Sequence, residues 1–270
     1  MVMRLGRILA GVAVCLAVCT DLAAQERTIR AAAAADLKFA MTEMAQKFEE
    51  QSGTKVDVTY GSSGNFFSQI QNGAPFDVFF SADIEYPRKL AAAGAAEPDT
   101  LYEYAVGRIV IWIPPDAKLD VAHDTWKALL NSRVQKIAIA NPEHAPYGKA
   151  AVAAMKKAGI YEQVKAKLVY GENISQAAQF VQSGSAQAGI IALSLAASPA
   201  MEDGKYWVIP AGMHAPIEQS AIVLRGAQNK SGVAAFLEFV KSAAGREILA
   251  GFGFQPPDGT VDSKKKQERK

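Results

Sequence analysis

Cysteine is almost missing from these 270 residues: the two present, Cys15 and Cys19, both fall in the first 24 positions. Beyond that point there is no thiol, so a disulfide framework, a thiol nucleophile and a cysteine metal site are excluded. Histidine is scarce too. His123, His144 and His214 are the only three, and neither an HExxH nor a GxSxG motif accompanies them. Zinc-protease and serine-hydrolase chemistry therefore lack their usual residues. Charge of one sign is also lacking, since 29 basic and 27 acidic residues give a formal +2. No basic face with interleaved aromatics is present, so nucleic acid is not an expected partner.

What is there begins with a leader. Arg4 and Arg7 precede a twelve-residue apolar run, Ile8 to Cys19, and Ala23-Ala24 offers a cleavage point before Gln25. A run of that length is too short to span a bilayer, and the pattern reads as a signal peptide over residues 1–24. Val18 stands before Cys19 where a lipobox wants a small residue, so lipidation is not expected. An exported chain without cysteine fits the bacterial periplasm. The last ten residues, 261–270, hold "KKKQERK", five positive charges in a run that reads as a solvated, disordered tail.

Between these ends, apolar runs alternate with helical spacing. Strands are expected at 28–34, 56–60, 77–81, 136–140, 167–170, 188–193 and 206–209. The alternation predicts an α/β fold of mostly parallel sheets flanked by helices. Two longer extended runs, 101–113 with Gly107 inside it and 217–225, break the rhythm. They suit a chain that crosses between two lobes and returns. The lobes are then 25–106 plus 220–260, and 107–219, with a single doubly wound sheet as the alternative.

Ligands of open parallel sheets bind beyond the carboxyl ends of the strands, where helix N-termini present unpaired N–H groups to anions. Four junctions have the right chemistry. Asp36 follows the first strand in a position to cap a helix. Ser62 and Ser63 lie between Gly61 and Gly64, where the missing Cβ atoms allow close backbone approach. "NPEHAPYG" places Pro146 at a first helical position, leaving the Tyr147 amide free. "GENISQ" offers Asn173 as cap with Gln176 three residues on, leaving the Ile174 amide free. Together they would surround something small with neutral donors, which suits a tetrahedral oxyanion. "SAD" at 81–83 looks just as good a junction, and each could equally be an ordinary capped helix.

The pieces "AAAADLKFAM", "GSSGNFFSQIQNGAPFDVFFSAD", "YAVGRIVIW", "IAIANPEHAPYGKAA", "GENISQA", "AQAGIIALS" and "GFGF" occur in that order. In this they resemble the periplasmic molybdate-binding proteins of ABC transporters. The resemblance implies a two-lobed type II periplasmic binding protein, with the crossing segments as its hinge. It implies a monomer, not an enzyme, that needs no cofactor and binds molybdate or tungstate as an oxyanion. The anion would be handed to the transporter's permease in the inner membrane. The family's ligand points fall on Asp36, Ser63, Tyr147 and Ile174; Ser63 would give hydroxyl and amide, the last two mainly amides. Ala192 stands where some members carry a further tyrosine.

Asp36 departs from the pattern, because Ser, Thr or Asn is usual there and an ionised carboxylate only accepts hydrogen bonds. Three readings are open. Its side chain turns away to cap a helix, or it is protonated and donates, or the ligand carries its own proton. The last would make this a binding protein of the same build for another small ligand, a protonated oxyanion, organic acid or metal ion. Replacing Ser63 by Ala is expected to weaken the ligand with little effect on stability.

Overall fold

The computed structural model describes residues 28–257. The expected signal peptide at 1–24 and basic tail at 261–270 lie outside the described residues.

Two five-stranded sheets divide the chain. The first orders its strands β2 (Lys55–Gly61), β1 (Thr28–Ala34), β3 (Val78–Ser81), β10 (Ile217–Val223) and β4 (Tyr102–Gly107). The second orders β7 (Leu168–Gly171), β6 (Ile137–Ala140), β8 (Ala188–Ala192), β5 (Ile109–Ile113) and β9 (Lys205–Val208). Both follow one plan: three parallel strands in the order second, first, third, then a reversed strand, then a fifth paired antiparallel to it. The reversed strand is β10, which returns to the first sheet, and β5, which has just entered the second. The expected mostly parallel sheets are thus mixed, and the crossings are what reverse one strand in each.

Why these segments form strands is plain from their neighbours. β1 is central in its half-sheet, and Ala31, Ala32 and Ala33 are all fully buried. Such small side chains let helices pack closely on both faces of a parallel sheet. On β3, Phe79 and Phe80 point to opposite faces, as successive strand residues must. Phe80 joins the core of Met41, Phe48 and Phe236, whereas Phe79 packs with Phe66, Leu90 and Ile222. The helix Lys38–Ser52 buries Ala40, Met41, Met44 and Phe48, a 3.6-residue stripe, and ends at Gly53 with φ 68°. The second lobe has one large core around Ile109, Ile111, Ile139 and Ile191.

β4 and β5 lie in different sheets with only Arg108 between them, so the first crossing is a single residue wide. The return is longer. Ile217 pairs with Gly107 and Gln219 with Ala105, so residues 217–219 belong to the first sheet. The expected lobe boundary at 219 and 220 therefore falls too late, and the return crossing occupies 209–216. The two crossings touch where Arg108 donates to the carbonyl of Ile209 at 3.2 Å.

Candidate functional site

Both sheets point the carboxyl ends of their parallel strands at one cleft. A small cavity lies there, and Asp36, Ser63, Tyr147 and Ile174 all line it, with Ala35, Ser62, Ala82 and Ala145 beside them. The four positions singled out in the sequence, two from each lobe, are brought together. In the shared plan of the sheets, Asp36 and Tyr147 each follow a first strand, and Ser63 and Ile174 each follow a second.

Two of the junctions are built alike. Ser62 caps the helix Ser63–Gln71, its Oγ accepting from the Asn65 amide at 3.4 Å, and Asn173 caps the helix Ile174–Gln182, accepting from the Gln176 amide at 3.0 Å. The Gln176 side chain reaches back to accept from the Glu172 amide at 2.6 Å. With caps serving the third helical residue, Ser63 and Ile174 stand first in their helices, where an N–H has no intrahelical acceptor. Pro146 opens the helix Pro146–Lys157, so Tyr147 is its second residue and its amide is in the same position. All three helix starts carry the positive end of a macrodipole.

Ser63 has a further property. Its Oγ accepts from the Ala82 amide at 2.9 Å, inside the protein. That contact uses an acceptor site and leaves the hydroxyl proton to be donated. It also corrects the expectation that Ser63 matters only to a ligand, since Ala82 would lose its acceptor in an alanine variant. The neighbouring Asp83 accepts from the Tyr86 amide at 2.9 Å, so this third junction is closed by its own contacts.

Asp36 does not cap a helix. The chain winds a 3-10 turn, Ala35–Leu37, before the next helix begins at Lys38, and neither helix start has a side-chain cap. This sets Asp36 mid-turn, 1% exposed, with its side chain among partners from distant strands. Oδ2 accepts from Tyr147 Oη at 3.0 Å and from Gln219 Nε2 at 2.6 Å. Oδ1 is buried without a hydrogen-bond partner. Burial raises this carboxyl to about 6, against hydrogen bonds from Gln219, Tyr147 and its own backbone amide that pull it down. Behind it, Tyr104 Oη donates to Gln219 Oε1 at 2.8 Å, which turns the Gln219 amide nitrogen toward Asp36. Burial and the Asp36 carboxyl push the phenols of Tyr104 and Tyr147 well above their ordinary value.

Gln219 and Tyr104 are absent from the sequence reading. A signal existed in "IEQSAIV", where a glutamine interrupts an apolar run, yet nothing local tells that β10 sets it beside Asp36.

Contacts across the cleft join the lobes around the cavity. Ser175 Oγ donates to the Ala35 carbonyl and Ser194 Oγ to the Asp36 carbonyl, both at 2.8 Å. At the mouth, the Gly64 amide donates to the His144 carbonyl and Ser62 Oγ meets His144 Nδ1, both at 2.9 Å. Asn65 Nδ2 donates to Glu172 Oε1. His144 thus bridges the lobes at the mouth. Among the described residues, no group of three or more His, Cys, Asp or Glu converges as a metal site would require.

Two mixed sheets with helix starts meeting at an interlobe cavity define the type II periplasmic binding fold. The chain belongs to the bacterial extracellular solute-binding protein family, which it matches over residues 29–255. It is 37% identical over 237 residues to the molybdate-binding protein ModA of Azotobacter vinelandii, covering 86% of this chain and 91% of that one. To ModA of Rhodobacter capsulatus it is 38% identical over 224 residues, covering 83% and 86%. The solved Azotobacter vinelandii periplasmic molybdate-binding protein superposes with a TM-score of 0.80 at 31% identity, over 85% of this chain and 99% of that one.

Proposed function

We propose that this protein captures molybdate, and tungstate with it, outside the cytoplasm and delivers it to the permease of an ABC importer. The observation that carries this is the convergence of Ser63, Tyr147 and Ile174, each within the first two residues of a helix, on one small cavity. Helix-start amides and the Ser63 hydroxyl offer neutral donors to a tetrahedral anion, and no lysine or arginine lines the cavity to hold it too firmly for release. The relatives named molybdate-binding protein support the choice of anion.

In this reading the protein acts as a binding protein rather than an enzyme, works as a monomer in the periplasm, and uses no cofactor. Its lobes close on the anion by rotating at Arg108 and at residues 209–216. A decrease in radius of gyration on adding molybdate, by small-angle scattering, checks the rotation.

Titration calorimetry with molybdate, tungstate, sulfate and phosphate tests the assignment. Molybdate and tungstate are expected to bind at least a hundredfold more tightly than the other two. Preference for phosphate, which carries a proton at neutral pH, would overturn it in favour of a ligand that donates to Asp36.

A further inference from the structure

We propose that anion capture here is coupled to a proton: one is taken up from solvent with each molybdate, and it resides on Asp36 Oδ1, which donates to the bound anion. This rests on the cavity being an oxyanion site, as argued above.

The hydrogen-bond pattern around Asp36 leaves one place for that proton. Tyr104 donates to Gln219, Gln219 donates to Asp36 Oδ2 and to Tyr147 Oη at 2.8 Å, and Tyr147 donates to Asp36 Oδ2. Every side-chain donor in the relay points the same way, and both that reach the carboxyl end on Oδ2. A proton on Oδ2 would face two donors. On Oδ1, which is buried and has no partner, it gains an acceptor once an oxyanion enters the cavity that Asp36 lines.

Charge leads to the same atom. An ionised Asp36 beside a dianion would set like charges in contact at a site removed from water. Nothing nearby offsets them: among the described residues, no ion pair includes Asp36. The groups facing its carboxyl are the Tyr104 and Tyr147 phenols and the Gln219 amide, while the Ser194 hydroxyl sits on its main-chain carbonyl. Asp83 adds negative charge beyond Tyr104, and His144 sits at the mouth behind Ser62. Both phenols are held neutral, so neither adds a charge nor accepts the proton.

The balance is simple. Carboxylate, solvent proton and dianion become carboxylic acid hydrogen-bonded to dianion, with no bond to the anion made or broken. Burial already raises Asp36 to about 6. A dianion in contact raises it further, so between those two values affinity falls as pH rises, approaching tenfold per unit. Ser, Thr or Asn at this position would donate at any pH. Asp36 makes the same donation conditional on protons.

The test is calorimetry of the full mature protein with molybdate in buffers of different ionisation heat at about pH 8. The wild type is expected to take up about one proton per anion and to bind close to tenfold more weakly for each unit above about pH 7. Asp36→Asn keeps a neutral donor and should bind molybdate with no proton uptake and a flat pH profile. His144→Asn, a control for the mouth histidine, should retain the uptake. A second measurement needs no variant: infrared difference spectra of the wild type should gain a protonated carboxylic acid band on adding molybdate. Binding without uptake, uptake that persists in Asp36→Asn, or the missing band would each overturn the proposal. Failure to bind any of the four anions at any pH would instead sink the oxyanion reading, and this inference with it.

Discussion

Asp36 and Asp77 are both buried in the first lobe, 1% and 0% exposed, at opposite ends of one sheet. Asp77 lies at the amino-terminal end, just before β3. It receives the Arg30 amide at 2.8 Å, Arg30 Nε at 3.2 Å, Arg30 Nη2 at 3.1 Å and the Gln228 amide at 2.8 Å. Desolvation works to raise its carboxyl, but these bonds and the guanidinium bring it below its ordinary value. Asp36 lies at the carboxyl end of β1, has two neutral donors, and is raised. The same residue type in the same sheet thus takes opposite shifts, because only one end of the sheet supplies a cation. The end with the cation ties β1, β3 and the chain before the C-terminal helices together. The end without one faces the cavity, where a cation would compete for the anion.

The largest effect that this contrast predicts is at Asp77. Asp77→Ala leaves the Arg30 and Gln228 amides without their acceptor, and should cost about 3–5 kcal/mol in urea unfolding, the scale for two unsatisfied amides with a charge-assisted bond lost beside them. Molybdate affinity of the folded fraction should not change. The sign with pH follows from the depressed carboxyl: its stabilisation is present above its ordinary 3.8 and is lost as pH falls through the folded value. An affinity loss with little change in stability would erase the distinction between the two ends.

Asp36→Asn should move stability the other way. The folded carboxyl is raised to about 6 from 3.8, so the folded state holds the proton more tightly than the unfolded chain does. Stability from this group is therefore highest below pH 4, declines between about 4 and 6, and stays low above that. Without ligand, Asp36→Asn should match the wild type at low pH and exceed it by about 3 kcal/mol at neutral pH and above. Parallel unfolding curves for the two proteins across that range would show that Asp36 carries no charge cost.

How legible all this was depended on how local the signal is. Ser63, Tyr147 and Ile174 announce themselves by caps and by Pro146 within a few residues, and the alternation of strands and helices gave the fold class. Of the three readings open for Asp36, capping fails because the helix starts two residues later, after a 3-10 turn that the sequence does not mark. Gln219 lies 183 residues from Asp36 and meets it only because the returning strand pairs with β3 and β4. The shared plan of the two sheets left no repeat in the sequence, because strand order depends on pairing and not on particular residues.

Ser63→Ala sharpens the comparison within the cavity end. On the proposed reading it removes a donor to the anion, worth about 1.5–3 kcal/mol of affinity for a charged acceptor, and it orphans the buried Ala82 amide. Affinity and stability should both fall, the latter by about 1 kcal/mol. Lost stability with unchanged affinity would make Ser63 a counterpart of Asp77, a structural residue at the wrong end.

Gly64→Ala gives the smallest and most selective effect. A Cβ there would lie 2.6 Å from the His144 carbonyl oxygen and 2.8 Å from the Tyr86 hydroxyl. The tyrosine can swing away, but the carbonyl belongs to the other lobe's backbone and accepts from the Gly64 amide at 2.9 Å. The lobes must then part by several tenths of an ångström at the mouth, lengthening that bond. Within its own lobe the substitution puts a good helix former at a helical position, so the helix itself should gain slightly. The expected result is about tenfold weaker molybdate binding, about 1.4 kcal/mol, with urea stability of the ligand-free protein unchanged within about 0.5 kcal/mol. Close backbone approach across the cleft is thus the reason a glycine follows the two serines. Full affinity in Gly64→Ala would mean that the anion is held without this contact between the lobes.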